Sequence, residues 1–235
     1  MDTKAARIKA SMCVSRAPKK SSSSICKYWA NGKCMLGEHC RHLHSWSDGI
    51  LIRFHEHNPK PMRLVWWTAP PQDFVKINCD GAFSSFHGNK ASAGGVVRDW
   101  KGKFVIGFST LLNKCDTVIE AELLAIKIGI QETIYMGFKK LVIESDSYTA
   151  VQLINQGVQT SHPYHALVSS ILHIVSMADL FCCNHVFREI NSVADGFAKH
   201  GLSLPPRFGV QLFRCPPPFS SSSLCADKAG LIYSR

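Results

Sequence analysis

From Phe74 to Phe83 apolar and polar positions alternate: Val75, Ile77 and Cys79 face one way, Lys76, Asn78 and Asp80 the other. A period of two is the signature of a strand with one face on a core. The run meets Asp80-Gly81, which predicts that the strand ends there with a carboxylate on its polar side. Two further strands are expected over 93–100 and 103–112, joined by a turn at Lys101-Gly102. Asp116 or Thr117 then caps a helix that runs to about Met136 and closes at Gly137. A fourth strand covers 140–145 and ends at Asp146. A helix follows to Asn155, with Gly157 as its stop. Pro163 opens another helix to about Ala178. A fifth strand spans 180–189, and Asn191 or Ser192 caps a last helix to Lys199, ended by Gly201. A three-strand meander followed by alternating helices and strands indicates an α/β fold with a five-stranded mixed sheet.

Four carboxylates fall at the ends of these elements. Asp80 and Asp146 end two strands. Glu122 sits in the first turns of a helix, on the face of Ala125, Ile126 and Gly129, while Glu120 lies roughly 200° round the helix toward solvent. Asp195 opens the last helix. If the first and fourth strands are neighbours, the four acids converge, and unpaired carboxylates at one spot raise each other's pKa values. A divalent cation removes that conflict, and hard oxygen donors suit Mg²⁺ or Mn²⁺. Two such ions ~3.5–4 Å apart can serve the attacking and leaving oxygens of a phosphodiester.

The segments flanking this pattern differ in composition. Residues 1–70 carry 12 Lys and Arg against 4 Asp and Glu, so +8 of the net charge of +10 lies in the first third and points to an anionic partner there. Residues 1–23 read as a disordered basic tail rather than an organelle transit peptide, and no signal peptide is expected. No apolar run reaches the ~18 residues needed to span a membrane. The ten cysteines come without a secretory context, so a disulfide framework is not expected. Instead Cys26, Cys34, Cys40 and His44 follow C-x7-C-x5-C-x3-H, a ligand set for one structural Zn²⁺; His39 and His42 are nearby alternatives without the x3 spacing from Cys40. Residues 48–73 form a linker broken by Pro59, Pro61, Pro70 and Pro71. Its Trp66-Trp67 pair either packs on the next domain or offers a stacking platform for bases. Residues 203–235, rich in Pro and Ser, are expected to lie loosely on that domain as a second disordered tail.

Two resemblances follow from these residues. Residues 24–47 resemble the C-C-C-H zinc-finger family, most nearly the finger of plant finger/WD-repeat proteins, although no WD repeats follow. That resemblance implies contact with single-stranded RNA or with protein. Asn78-Cys-Asp80-Gly-Ala, Glu122-Leu-Leu-Ala-Ile, Glu144-Ser-Asp146-Ser and Asn191-Ser-Val-Ala-Asp195-Gly-Phe-Ala-Lys199 resemble type 1 ribonuclease H, in its plant and retrotransposon-related branch. On that resemblance residues 74–202 form a ribonuclease H-like domain, and Asp80, Glu122, Asp146 and Asp195 are ligands of two Mg²⁺ or Mn²⁺ ions. His185, ten residues before Asp195, matches a loop histidine linked to proton movement or product release. Asn191 matches a further family position or only caps its helix. The chain lacks the basic handle that some members insert between the second and third helices: it has only Gln156–His162 there.

The expected activity is metal-dependent cleavage of the RNA strand of RNA–DNA hybrids, with the basic finger region gripping phosphates. The alternative is a non-catalytic RNA-binding protein that keeps the ribonuclease H fold as a scaffold. A monomer is expected, in nucleus or cytoplasm, with nucleic acid and no membrane as partner.

Overall fold

The computed structural model describes residues 64–84 and 90–234. The tail 1–23, the finger with Cys26, Cys34, Cys40 and His44, and the linker up to residue 63 lie outside the described residues.

A six-stranded sheet organises the fold. Its strands are β2 (Val75–Ser84), β3 (Lys90–Arg98), β4 (Phe104–Leu112), β5 (Lys140–Ser145), β6 (Leu180–His185) and β7 (Gln211–Phe213), in the order β6-β5-β2-β3-β4-β7. β2, β3, β4 and β7 run antiparallel in turn, while β5 is parallel to both β2 and β6. All five expected strands are present, and the result is a ribonuclease H-like mixed sheet flanked by helices. The sixth strand, β7, comes from the Pro- and Ser-rich tail. Separately, β1 (Leu64–Val65) pairs with β8 (Tyr233–Ser234).

Helices cover both faces. On one lie α1 (Val118–Tyr135), α2 (Tyr148–Gln156) and α3 (His165–Val175), over a core that includes Ile77, Cys79, Val97, Phe108, Leu123, Ile126, Ile130 and Ile143. α1 starts where expected: the Thr117 hydroxyl accepts from the Glu120 N–H at 3.1 Å and Glu120 accepts from the Asp116 N–H at 3.0 Å, a reciprocal cap. On the other face α4 (Ser192–Gly201) sits across β3, with Phe197 packed on Val96. Its carbonyls accept from strand hydroxyls, Ser92 to Ala198 at 2.6 Å and Ser109 to Phe197 at 2.7 Å.

Two of the element ends that differ from expectation matter for the site. β2 does not stop at Asp80 but continues to Ser84, so Asp80 lies within the strand, opposite Gly94 of β3. Gly81 is present for close approach rather than for a turn: a Cβ there would come within 2.5 Å of the Ala121 and Glu122 backbone. The ladder from β2 to β5 ends at Cys79↔Ser145, which leaves β2 without a neighbour on that side just where Asp80 stands. β6 ends at His185 rather than Glu189, and a 3₁₀ turn over Arg188–Ile190 leads into α4.

The C-terminal segment, expected to lie loosely, is instead built into the domain through α5 (Pro218–Lys228). Asp227 of α5 pairs with Arg98 at 2.6 Å, with both side chains 2% exposed. Arg98 also donates to Asn78 Oδ1 at 2.7 Å and stacks 3.7 Å above the Trp67 ring. Trp67 donates to the same Asn78 oxygen at 3.1 Å, so it packs on the domain as one of its two readings had it; Trp66 stays exposed. Asn78 in turn donates to Glu144 at 2.9 Å, and Glu144 pairs with Lys76 at 2.6 Å. One buried polar network therefore joins linker, sheet and tail. Composition does not reveal this, because the segment is anchored by contacts distant in sequence: the Arg98–Asp227 pair, the β4–β7 ladder, and Phe213 and Phe219 against Phe197.

Removing one member of a buried pair strands the other's charge. Asp227→Ala should lower unfolding stability by about 3–5 kcal/mol, and a double Arg98→Met/Asp227→Leu replacement should cost much less, as read by urea denaturation.

Candidate metal centre

Three carboxylates meet at the notch where β5 ends. Asp80, Glu122 and Asp146 each offer an oxygen within 4.8 Å of the others. Each arrives by a different route. Asp80 comes from β2 on the α4 face, Asp146 follows the last residue of β5, and Glu122 descends from the first turns of α1 past Gly81. Asp80 and Glu122 are buried, Asp146 half-buried.

The surroundings orient the acids without neutralising them. Ser145 Oγ donates to Glu122 Oε2 at 3.2 Å while accepting from the Ser147 N–H at 3.0 Å. Asn191 Nδ2 donates to the Cys79 carbonyl at 3.0 Å and to Asp146 Oδ1 at 3.4 Å. Asn191 is the N-cap residue of α4, but its side chain makes no cap bond and is turned to the acids instead. Its Oδ1 is buried without a partner.

The electrostatic consequence is a raised proton affinity. Burial, then the fields of Glu122, Asp146 and Asp195, push Asp80 from the ordinary 3.8 up to about 9. Burial and then Asp146 push Glu122 from 4.5 up to about 8, against the opposing pull of the Ser145 hydroxyl, the Gly81 N–H and Arg188. Buried, crowded oxygen donors with too little positive charge beside them fit a hard divalent cation such as Mg²⁺ or Mn²⁺, with Asp80, Glu122 and Asp146 as the residues to hold it.

The other two expected residues stand at the rim. Asp195 is close enough to raise Asp80 but is not among the three clustered acids. Its carboxylate is held by Lys199 at 2.6 Å and faces Arg188 at 3.8 Å. The Lys199 pairing, four residues on along one helix face, was readable in advance; Arg188, from the 3₁₀ turn, was not. His185 is exposed at the end of β6, its Nε2 3.2 Å from the Asp146 carbonyl oxygen, with Tyr148 edge-on at 5.6 Å. Glu120 serves the α1 cap, apart from the cluster. Ser145 carried no sequence signal beyond its place beside Asp146.

Because Asp80 and Glu122 titrate higher in the folded chain than in the unfolded one, the native metal-free state holds extra protons between about pH 4 and pH 9. Stability therefore falls as pH rises through that window. Asp80→Asn should raise metal-free stability by about 1–3 kcal/mol at pH 8.5 and by little at pH 4.5, as followed by circular dichroism in denaturant.

Comparison with known proteins agrees with this architecture. Residues 78–201 match the family model described as reverse transcriptase-like. A protein of Arabidopsis thaliana provisionally named a ribonuclease H protein is 35% identical over 176 residues, 73% of this chain but 27% of the relative's own length. The Arabidopsis zinc finger CCCH domain-containing protein 62 is 58% identical over 33 residues, 13% of this chain and 8% of that protein. Among solved structures, the ribonuclease H1 of the archaeon Halobacterium salinarum superposes with a TM-score of 0.51 at 22% identity, over 55% of this chain and 97% of its own. LC9-RNase H1 superposes with a TM-score of 0.52 at 14% identity, over 67% of this chain and 87% of its own.

Proposed function

The chain belongs to the reverse transcriptase-like family, and from that premise we propose that it is a metal-dependent nuclease that cuts the RNA strand of RNA–DNA hybrids. The observation that carries this reading is the gathering of Asp80, Glu122 and Asp146 within 4.8 Å at the open notch beside β5. Asp80, Glu122 and Asp146 would hold the divalent ion, with Asp195 completing the set once it leaves Lys199. When bound, two such ions supply the charge that stabilises the attacking and leaving oxygens of a phosphodiester.

The remaining roles belong to the chain's own side chains. Asn191 keeps Asp146 aimed at the notch through its amide. Ser145 holds the Glu122 carboxylate at the same edge. Lys199 and Arg188, at the rim, offer cations to a phosphate backbone when Asp195 turns inward. His185 places an imidazole in solvent beside Asp146, where it can take up or release a proton. The finger residues Cys26, Cys34, Cys40 and His44 would hold one Zn²⁺, and with the basic first third they would add grip on nucleic acid. The short likeness to a CCCH finger protein supports that part.

One observation favours the non-catalytic RNA-binding reading: Asp195 is engaged by Lys199 rather than by the cluster. A pair of variants separates the two. Asp146→Asn should lower Mg²⁺-dependent cleavage of a labelled RNA–DNA hybrid by at least about 10³-fold, roughly 4 kcal/mol of barrier, while leaving hybrid binding intact. Glu120→Gln, confined to the α1 cap, should stay within about twofold of the parent. A parent chain that does not cut would decide for the scaffold, and an Asp146→Asn chain that cuts as well as the parent would remove Asp146 from the site.

A further inference from the structure

The far end of the sheet carries a second feature of opposite sign. A cavity of about 570 Å³ opens between the β3–β4 turn and the C-terminal segment. Lys101 and Lys103 of the turn, Arg214 just after β7, and Lys228 in the last turn of α5 line it, with the half-buried Phe104 and Leu224 as apolar wall. Among the described residues no Asp or Glu lines it. Among the described residues none of these four cations is in an ion pair. The nearest acid by sequence on the turn, Asp99, is occupied by the turn itself: its Oδ1 accepts from the Lys101 N–H at 2.9 Å and the Lys103 N–H at 2.8 Å.

The cavity is held open by the polar network. Asp227, adjacent to Lys228, is fixed by Arg98, the last residue of β3 before the turn. β7, fixed to β4 through Phe213↔Gly107, sets the start of Arg214. Four like charges brought together by three chain segments repel one another in the free protein, and an anion relieves that repulsion. An Arg among them adds a planar fork suited to phosphate.

We propose that this cavity binds the phosphates of a nucleic-acid strand, at a site separate from the acidic cluster. Separation follows from register. Asp80 stands four residues from Lys76 along β2, roughly 13 Å, and Lys76 pairs with Arg98 before the turn begins. Size and surroundings favour a strand over a lone phosphate. The volume lies in the range of ligand-sized sites rather than single-ion sites. Trp100, the residue before Lys101, is 42% exposed, with the Lys101 ammonium 4.7 Å from its ring, and offers an aromatic surface on which a base can stack. A cationic hold elsewhere on the same domain keeps a strand on the protein without depending on the residues that surround Asp80.

The test uses the full chain in an Asp146→Asn background, so that binding is read without cutting. Lys101→Gln/Arg214→Gln changes two exposed side chains and leaves the Arg98–Asp227 anchor intact. Its control, Lys127→Gln/Lys139→Gln, removes the same charge away from the cavity. Affinity for a single-stranded oligonucleotide of ~12 nucleotides is measured by fluorescence anisotropy across a salt series. The cavity variant should bind about tenfold more weakly and show a log–log salt slope smaller by about 1–2, while the control stays within about twofold. Equal losses in both variants would reduce the effect to diffuse attraction and overturn the proposal, as would no loss in either. A parallel calorimetric titration with inorganic phosphate separates the two sources of the anion. Phosphate binding abolished by the cavity variant, with oligonucleotide affinity unchanged, would make this a small-anion site and overturn its assignment to nucleic acid. None of these readouts requires the chain to be a nuclease.

Discussion

The crowding of Asp80, Glu122 and Asp146 is the constraint around which the rest of the domain is arranged. Three acids with oxygens within 4.8 Å of one another are costly in a folded chain, because burial and mutual repulsion both oppose their ionised forms. Among the described residues the fold accepts that cost at one place, where β5 stops and β2 runs on alone. There the two helix faces and the sheet edge meet, and only there can an acid from α1 reach acids from the opposite face. Gly81 makes this meeting physically open: with any larger residue, α1 stands off and Glu122 with it.

The stability that tolerates this strain comes from elsewhere. One face of the sheet is an apolar core under α1, α2 and α3. The other is divided. Near the acids it is covered by α4, and toward the β3–β4 turn it is covered by Trp67, Arg98, Asp227 and the segments that carry them. The second half is polar and buried, paired except at Arg98 Nε and Asp227 Oδ1, so it fixes a single arrangement of linker and tail rather than merely filling space. The same anchoring places Lys228 and Arg214 beside Lys101 and Lys103. The domain thus separates a negative notch from a positive cavity along the length of β2.

Much of this was legible in the order of residues. Strict alternation announced β2 and put Asp80 on its polar face, Thr117 and Gly137 bracketed α1, and the helix period put Glu122 on the inner side of its helix. What was not legible depended on contacts distant in sequence. Asp80-Gly81 looks like a strand end, because glycine required by a helix 40 residues away reads the same as glycine required by a turn. The side chain of Asn191 looks like a cap, because its amide partners, Cys79 on β2 and Asp146 just past β5, are brought near only by the fold. The tail looks structureless by composition, and Asp227, the β7 ladder and Phe213 and Phe219 packed on Phe197 make it part of the domain. Asp195 shows the converse: its motif foretold a place with the other acids, and its local partners Lys199 and Arg188 hold it at the rim.

The central claim is that these acids are crowded because they hold a hard divalent cation. Titrating the protein with Mn²⁺ and following the free ion by electron paramagnetic resonance tests it directly, with Asp80→Asn/Asp146→Asn as the comparison, since that pair relieves repulsion and keeps shape. The account predicts that the parent chain depletes free Mn²⁺ and that excess Mg²⁺ competes for the same site, while the double variant leaves Mn²⁺ free. A parent chain that binds no Mn²⁺, or a double variant that binds it as well as the parent, would contradict the account.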